Sequence, residues 1–247
     1  MSSDFWGRFD RKVVLYFTGN KDTRAPRMER ELARVGMEDA YRQWQFPTPL
    51  DRIVLRQVPH VRHIESGGYM NCTMGHYRAI ATSYHLGCGS VLVMEDDARF
   101  LKDMSQIGRS IESIPEDYDL AMLDWFYSSW KDVEERTADR LRDERKINDF
   151  WAEFDHFHSG ACYALSRRGM ERVLKLYEAA ATDRRIGKLR ICDGFLDRRY
   201  LGEDARMYFA RKNVAIQRDF GEGNSKGCGI SDPYSRTGTD VSEYAEA

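Results

Sequence analysis

Short apolar runs and amphipathic stretches alternate along the chain. KVVLYFTG (12–19) is a β-branched and aromatic run closing on Gly19, the pattern of a buried strand. Beyond it, Met28, Leu32 and Val35 recur at helical spacing, with Pro26 suited to a first turn and Gly36 to a stop. IVLRQV (53–58) reads as a second strand. Met74, Tyr77, Ala81 and Tyr84 mark a helix over 73–86 that ends at Gly87, and SVLVM (90–94) is another buried strand. Ile107, Ile111 and Ile114 predict a helix closed by Pro115. DLAML (119–123) predicts a strand leading to Asp124 and Trp125. ACYAL (161–165) predicts one more, and Met170, Val173, Leu174 and Tyr177 an amphipathic helix begun near Ser166. This alternation predicts an α/β layer fold with a mostly parallel central sheet.

Two segments stand outside the pattern. KDVEERTADRLRDERK (131–146) mixes charges of both signs, as a solvated helix or loop does, or a mobile flap beside an acceptor site. The tail after about residue 219 is rich in Gly, Ser, Asp and Thr, and its last dozen residues are expected to be disordered. The expected organisation is one domain over 1–230, with 131–146 as a charged flap or insertion and 231–247 as a flexible tail.

Composition narrows the function classes. A chain of 247 residues, 42% hydrophobic, has enough apolar material for one sizeable core. Its 38 Lys+Arg against 40 Asp+Glu lack the basic excess of a nucleic-acid binder. No apolar run reaches the roughly 18 residues of a membrane span, and MSSDFWGRFDRK lacks the apolar core of a signal peptide. Five cysteines (72, 88, 162, 192 and 228) with no C-x-x-C pair suit reduced thiols. A cytoplasmic protein is therefore expected. Arg198, Arg199, Arg206, Arg211 and Lys212 could draw it to anionic lipid on the inner membrane face, or be scattered surface charge.

The candidate chemistry lies in VLVMEDD (91–97), where four apolar residues run into Glu95, Asp96 and Asp97. Ligands of open α/β sheets gather beyond the carboxyl ends of the strands. Alternation along extended chain would let Glu95 and Asp97 converge while Asp96 faces elsewhere. Two such carboxylates suit Mg²⁺ or Mn²⁺ shared with substrate phosphates. The bland alternative is a cluster that caps the next segment or pairs with Arg99 and Lys102.

The stretch NCTMGHYRAIATSYHLGCGSVLVMEDD (71–97) resembles glycosyltransferase family 25, which includes bacterial lipooligosaccharide galactosyltransferases and collagen hydroxylysine galactosyltransferases. Cys72 and His76 match the family's G-C-x-x-S-H segment, and Glu95-Asp96-Asp97 its strand-end E-D-D. Asn20, Arg24 and Arg27 match an N-x-x-x-R-x-x-R segment. SGACYALSRRGMERVL (159–174) is similar to the family's strand and "SRxG" helix, Asp193 lies in an acidic loop, and Gln217 and Ser225 resemble its closing Q…S segment. Asn71 and Gly75 depart from the family's Gly and Ser, and Thr18-Gly19 from its apolar residues.

The resemblance implies a GT-A-type nucleotide-binding sandwich and an inverting hexosyltransferase that uses a UDP-sugar, most often UDP-galactose. In such a transfer one carboxylate deprotonates the acceptor hydroxyl, and a cation or basic groups stabilise the departing diphosphate. Glu95 and Asp97 would hold Mn²⁺ or Mg²⁺. Asn20, Arg24, Arg27, His76, Asp96, Gln217 and Ser225 would bind the donor. Asp193, then Asp124, would be the base. Trp125 and Trp130, within WFYSSW, would offer a stacking platform to the acceptor, or pack the 131–146 flap. The acceptor implied is a surface-glycan or lipooligosaccharide precursor. Two other classes share these features: another metal-dependent nucleotide-processing enzyme, and a non-catalytic carbohydrate- or protein-binding relative.

Overall fold

The computed structural model describes residues 4–17, 24–45, 67–125, 145–153, 160–182, 198–217 and 239–245. Nine strands are present among them: β1 Arg11–Phe17, β2 Tyr41–Gln45, β3 Ser90–Glu95, β4 Ala98–Phe100, β5 Leu120–Met122, β6 Trp151–Glu153, β7 Cys162–Ser166, β8 Met207–Ala210 and β9 Ala215–Gln217. The helices are α1 Arg24–Val35, α2 Gly67–His85, α3 Met104–Glu112, α4 Arg167–Thr182 and the single turn α5 Arg198–Leu201.

Seven strands form one sheet in the order β2-β1-β3-β7-β5-β8-β6. The β1–β2, β1–β3 and β5–β8 pairs are parallel, while β7 and β6 run against their neighbours. The class expected from the alternation, α/β with a mostly parallel sheet, is the class observed.

Period-two alternation divides the core into two layers. Val14, Tyr16, Leu92, Met94 and Ala164 pack on one face, beneath Met28, Leu32 and Val35 of α1 and Ile107 and Ile111 of α3. Val13, Leu15, Val91, Val93 and Leu165 pack on the other, beneath Ala79 and Ile80 of α2 and Met170 and Val173 of α4. Each fully buried aliphatic side chain contributes about 1.5–3 kcal/mol. The glycine stops of α1 and α2 have positive φ, 74° at Gly36 and 82° at Gly87, the left-handed turn that closes a helix on a residue without Cβ.

Several strands were not apparent from hydrophobic runs. IVLRQV (53–58) lies outside the described residues. The edge strand beside β1 is β2, YRQWQ, which is largely polar. Short strands close the structure around the end of β3. The chain turns from β3 directly into β4, which pairs with β9 at Ala98↔Gln217. Within the tail, residues 239–245 pack on this layer. Leu101 bridges Tyr244, and the buried Tyr244 hydroxyl donates to the Asn213 carbonyl at 2.6 Å.

α4 lies very close to the sheet at Gly169. A Cβ there would stand 1.9 Å from the Asp119 carbonyl oxygen, at the start of β5. Beside it the buried Asp119 carboxylate pairs with Arg168 and Arg172 and accepts the Arg206 N–H. We expect Gly169→Ala to lower unfolding free energy by about 1–3 kcal/mol, because overpacking against backbone outweighs the gain in helix propensity. Chemical denaturation checks this, and an unchanged midpoint would contradict the packing.

Candidate functional site

β1 and β3 are neighbours, and the helices that follow β1 and precede β3 lie on opposite faces of the sheet. The carboxyl ends of such a strand pair frame a crevice where α/β folds bind ligands. The Glu95-Asp96-Asp97 turn occupies that place. The β1–β3 ladder ends at Leu15↔Glu95, two residues before the end of β1. Asp96 then turns back to accept the Phe17 N–H at 3.0 Å.

The three carboxylates go to different partners. Glu95, the last residue of β3, points toward α2, where its Oε1 lies 3.0 Å from His76 Nε2 and 3.4 Å from Cys72 Sγ. Asp96 and Asp97 are buried and share the guanidinium of Arg24, at the first position of α1. Its Nη1 is 3.4 Å from Asp96 Oδ1 and 3.0 Å from Asp97 Oδ2. Gln217 Nε2 donates to Asp97 Oδ2 at 3.2 Å, brought there by the β4–β9 register. The strict alternation that paired Glu95 with Asp97 and turned Asp96 away does not extend past β3. Residues 96 and 97 form a turn, so Arg24 can meet both.

Charge is crowded here. Burial pushes Asp97 up to about 8, and the Glu95 charge adds to this while Arg24 opposes it. Burial likewise pushes Asp96 up to about 6, against the Phe17 N–H and Arg24. Glu95 is held below the ordinary range. Burial opposes its charge, but His76, the Cys72 thiol and Arg24 together outweigh that. Asp97 Oδ1 is buried without a hydrogen-bond partner. An unpartnered buried carboxylate oxygen costs free energy until a donor or a cation reaches it. Asp97 therefore offers one buried carboxylate oxygen to a hard divalent cation, while Glu95, the second ligand expected, is directed at α2.

The other candidates lie as follows. Arg27 is half-buried on α1, one turn past Arg24. His76 is in the third turn of α2, not the first, because the helix begins at Gly67. It is buried, its Nδ1 lies 2.8 Å from the Tyr163 hydroxyl, and the two rings stack with centroids 5.6 Å apart. Asp124 is fully buried just past β5, with its N–H bonded to Cys162 O. β5 ends at the same sheet edge as β3, with β7 between them.

Trp125 faces the core. It is 1% exposed, donates its indole N–H to Ala210 O at 2.7 Å and meets Phe209 edge-on. Asn20, Trp130, Asp193, Ser225 and most of the 131–146 segment lie outside the described residues. Arg206 faces Asp117, Arg211 donates to the Asp149 carbonyl and Lys212 pairs with Glu243.

Two participants were missed in the sequence. Tyr163 orients His76 from β7, and strand alternation in ACYAL could have placed it on the α2 face. Gln45, at the end of β2, packs on Gly75, where a Cβ would stand 2.8 Å from its side-chain carbon. Gln43 donates to Gly75 O at 2.9 Å. A side chain at position 75 would therefore require the Gln45 amide to move.

No family model and no curated protein matches the chain. Among solved structures it is similar to a mannose-1-phosphate geranyltransferase from Thermus thermophilus, with TM-score 0.39 and 10% identity over 84% of this chain and 74% of that one. It is also similar to the apo form of mouse xyloside xylosyltransferase 1, with TM-score 0.33 and 10% identity over 78% of each chain. Likeness at this level carries no functional argument, so the functional reading rests on the site.

The site generates a paired prediction on stability. Arg24→Ala leaves two buried carboxylates without their shared cation and should cost about 3 kcal/mol. Asp97→Asn relieves charge crowding and should leave unfolding free energy unchanged or higher. Denaturation without added metal, at neutral pH, measures both. A marked loss in the Asp97 variant would mean that its charge serves the fold.

Proposed function

We propose that the chain is an inverting glycosyltransferase. By the motif resemblance, it transfers a sugar, galactose in the first instance, from a UDP-sugar to a hydroxyl of a surface-glycan or lipooligosaccharide precursor. The observation that carries this reading is the buried acidic turn at the β1–β3 crevice, with Asp97 Oδ1 left without a partner.

A divalent cation held by Glu95 and Asp97 would neutralise charge on the leaving diphosphate. The chain's own residues prepare that place. Asp96, fixed by the Phe17 N–H, holds the Arg24 guanidinium at the mouth of the crevice. A guanidinium in that place has the forked donor geometry that suits a phosphate. Gln217 holds one oxygen of Asp97, which leaves the other to turn toward the ligand. Asn20, Arg27, His76 and Ser225 complete the proposed donor contacts. Asp193 and Asp124 are the candidate bases, and Asp124 lies at the same sheet edge as the acidic turn. Trp130 and Trp125 stay with the acceptor side, Trp125 as buried support. The protein would act in the cytoplasm, at the inner membrane face if the acceptor is lipid-linked.

The test is UDP release and calorimetric binding with a panel of UDP-sugars, with Mn²⁺ and with EDTA. We expect one sugar to be favoured, activity to vanish with EDTA, and Asp97→Ala to reduce turnover roughly a hundredfold. If no nucleotide sugar binds, the donor site is wrongly assigned and a non-catalytic relative is the better description. Hydrolysis of plain nucleotides in preference to sugar donors would instead point to another nucleotide-processing enzyme.

A further inference from the structure

Behind the acidic turn lies a second cluster, which shares Glu95 and His76 with this reading and adds Cys72. Cys72 Sγ, His76 Nε2 and a Glu95 carboxylate oxygen all lie within 4.8 Å of one another. Cys72 and His76 are four residues apart on α2 and so share one helix face. Glu95 reaches them from the end of β3.

The order of contacts does not suit a nucleophilic triad. Such a triad places the imidazole between thiol and carboxylate so that it can take the thiol proton. Here the carboxylate is in the middle, with both the thiol and the imidazole directed at Glu95 Oε1. Three ligand-type atoms turned toward one small volume suit a cation instead. Ligands held about 2.0–2.3 Å from zinc stand roughly 3.2–3.7 Å from one another. The 3.0 Å and 3.4 Å separations at Glu95 need only a small expansion to admit the ion.

We propose that Cys72, His76 and Glu95 form a binding site for a thiophilic divalent cation, Zn²⁺ by ligand chemistry, between α2 and the end of β3. Sulfur, imidazole and a single carboxylate are the ligands of a borderline-soft metal, unlike the all-oxygen set that Asp97 offers. Tyr163 supplies the outer support. With its hydroxyl 2.8 Å from Nδ1, it is placed to accept a hydrogen bond from the Nδ1–H in the tautomer that leaves the Nε2 lone pair for the ion. Cys72 is half-buried, so an approach exists and a water can take the fourth position. On binding, the thiol S–H bond breaks, a sulfur–metal bond forms and the proton passes to solvent. The site shares Glu95 and His76 with the donor reading but does not require it, and it stands even if no nucleotide sugar binds.

Cobalt tests this directly. The reduced full-length chain, freed of metal, is titrated with Co²⁺ and then with Zn²⁺ while its absorption is recorded. We expect one equivalent of Co²⁺ to produce a thiolate charge-transfer band, with the intense visible bands of tetrahedral cobalt, and Zn²⁺ to displace both. Cys72→Ser, which keeps a hydroxyl near Glu95, should abolish the charge-transfer band and leave the melting temperature of the metal-free protein unchanged. Tyr163→Phe should weaken Zn²⁺ binding about tenfold. Asp97→Asn should leave the band intact, which separates this site from the hard-cation site. No band in the wild type, or a band that survives Cys72→Ser, overturns the proposal.

Discussion

Three successive carboxylates at the end of a buried strand set the main constraint on this molecule. At close range each pair of like charges costs on the order of 4 kcal/mol in a medium of intermediate dielectric. They are tolerated because each is drawn to a different element. Glu95 is held by α2, Asp96 by the end of β1, and Asp97 by β9, with Arg24 of α1 across the last two. The three acidic side chains thus tie together the parts of the chain that must meet to make the crevice.

The short strands have meaning within that constraint. β4 follows the acidic turn without a linker, and its register with β9 delivers Gln217 to Asp97. Residues 239–245 close over β4 from the other side, with Ala245 N bonded to Phe100 O and Lys102 N to Glu243 O. A three-residue strand has little stability alone. Pinned on both sides, β4 can hold the turn in place while Asp97 retains an unpartnered oxygen.

Legibility in the sequence followed the physics of each element. β1, β3, β5 and β7 are apolar runs buried on both faces, and α1 and α2 carry helical periodicity with a glycine of positive φ at the end. β2 escaped notice because YRQWQ is an edge strand with mostly exposed or half-buried side chains. β4, β6 and β9 are three residues each and, unlike β5, are not set in a longer apolar run, so no periodicity registers. The acidic turn was legible as a strand end, but its internal geometry was not. Period-two alternation holds only while the chain is extended, and it stops at Glu95. Arg24, read from a motif, proved to be the shared partner of Asp96 and Asp97, a long-range contact that no local pattern encodes.

The charge balance at the turn also separates the roles of its members. Against three carboxylates, Arg24 supplies one full positive charge, so the cluster with everything ionised is short of two. One divalent cation makes up that difference, whereas a second guanidinium would make up only half of it. Asp96 is the member least able to act as a ligand, since the Phe17 N–H and Arg24 already hold its two oxygens. Asp97 has a buried oxygen to give, and Glu95 lies between a hard oxygen environment on one side and sulfur and imidazole on the other. Ligand softness, not overall charge, would then decide which cation suits which side.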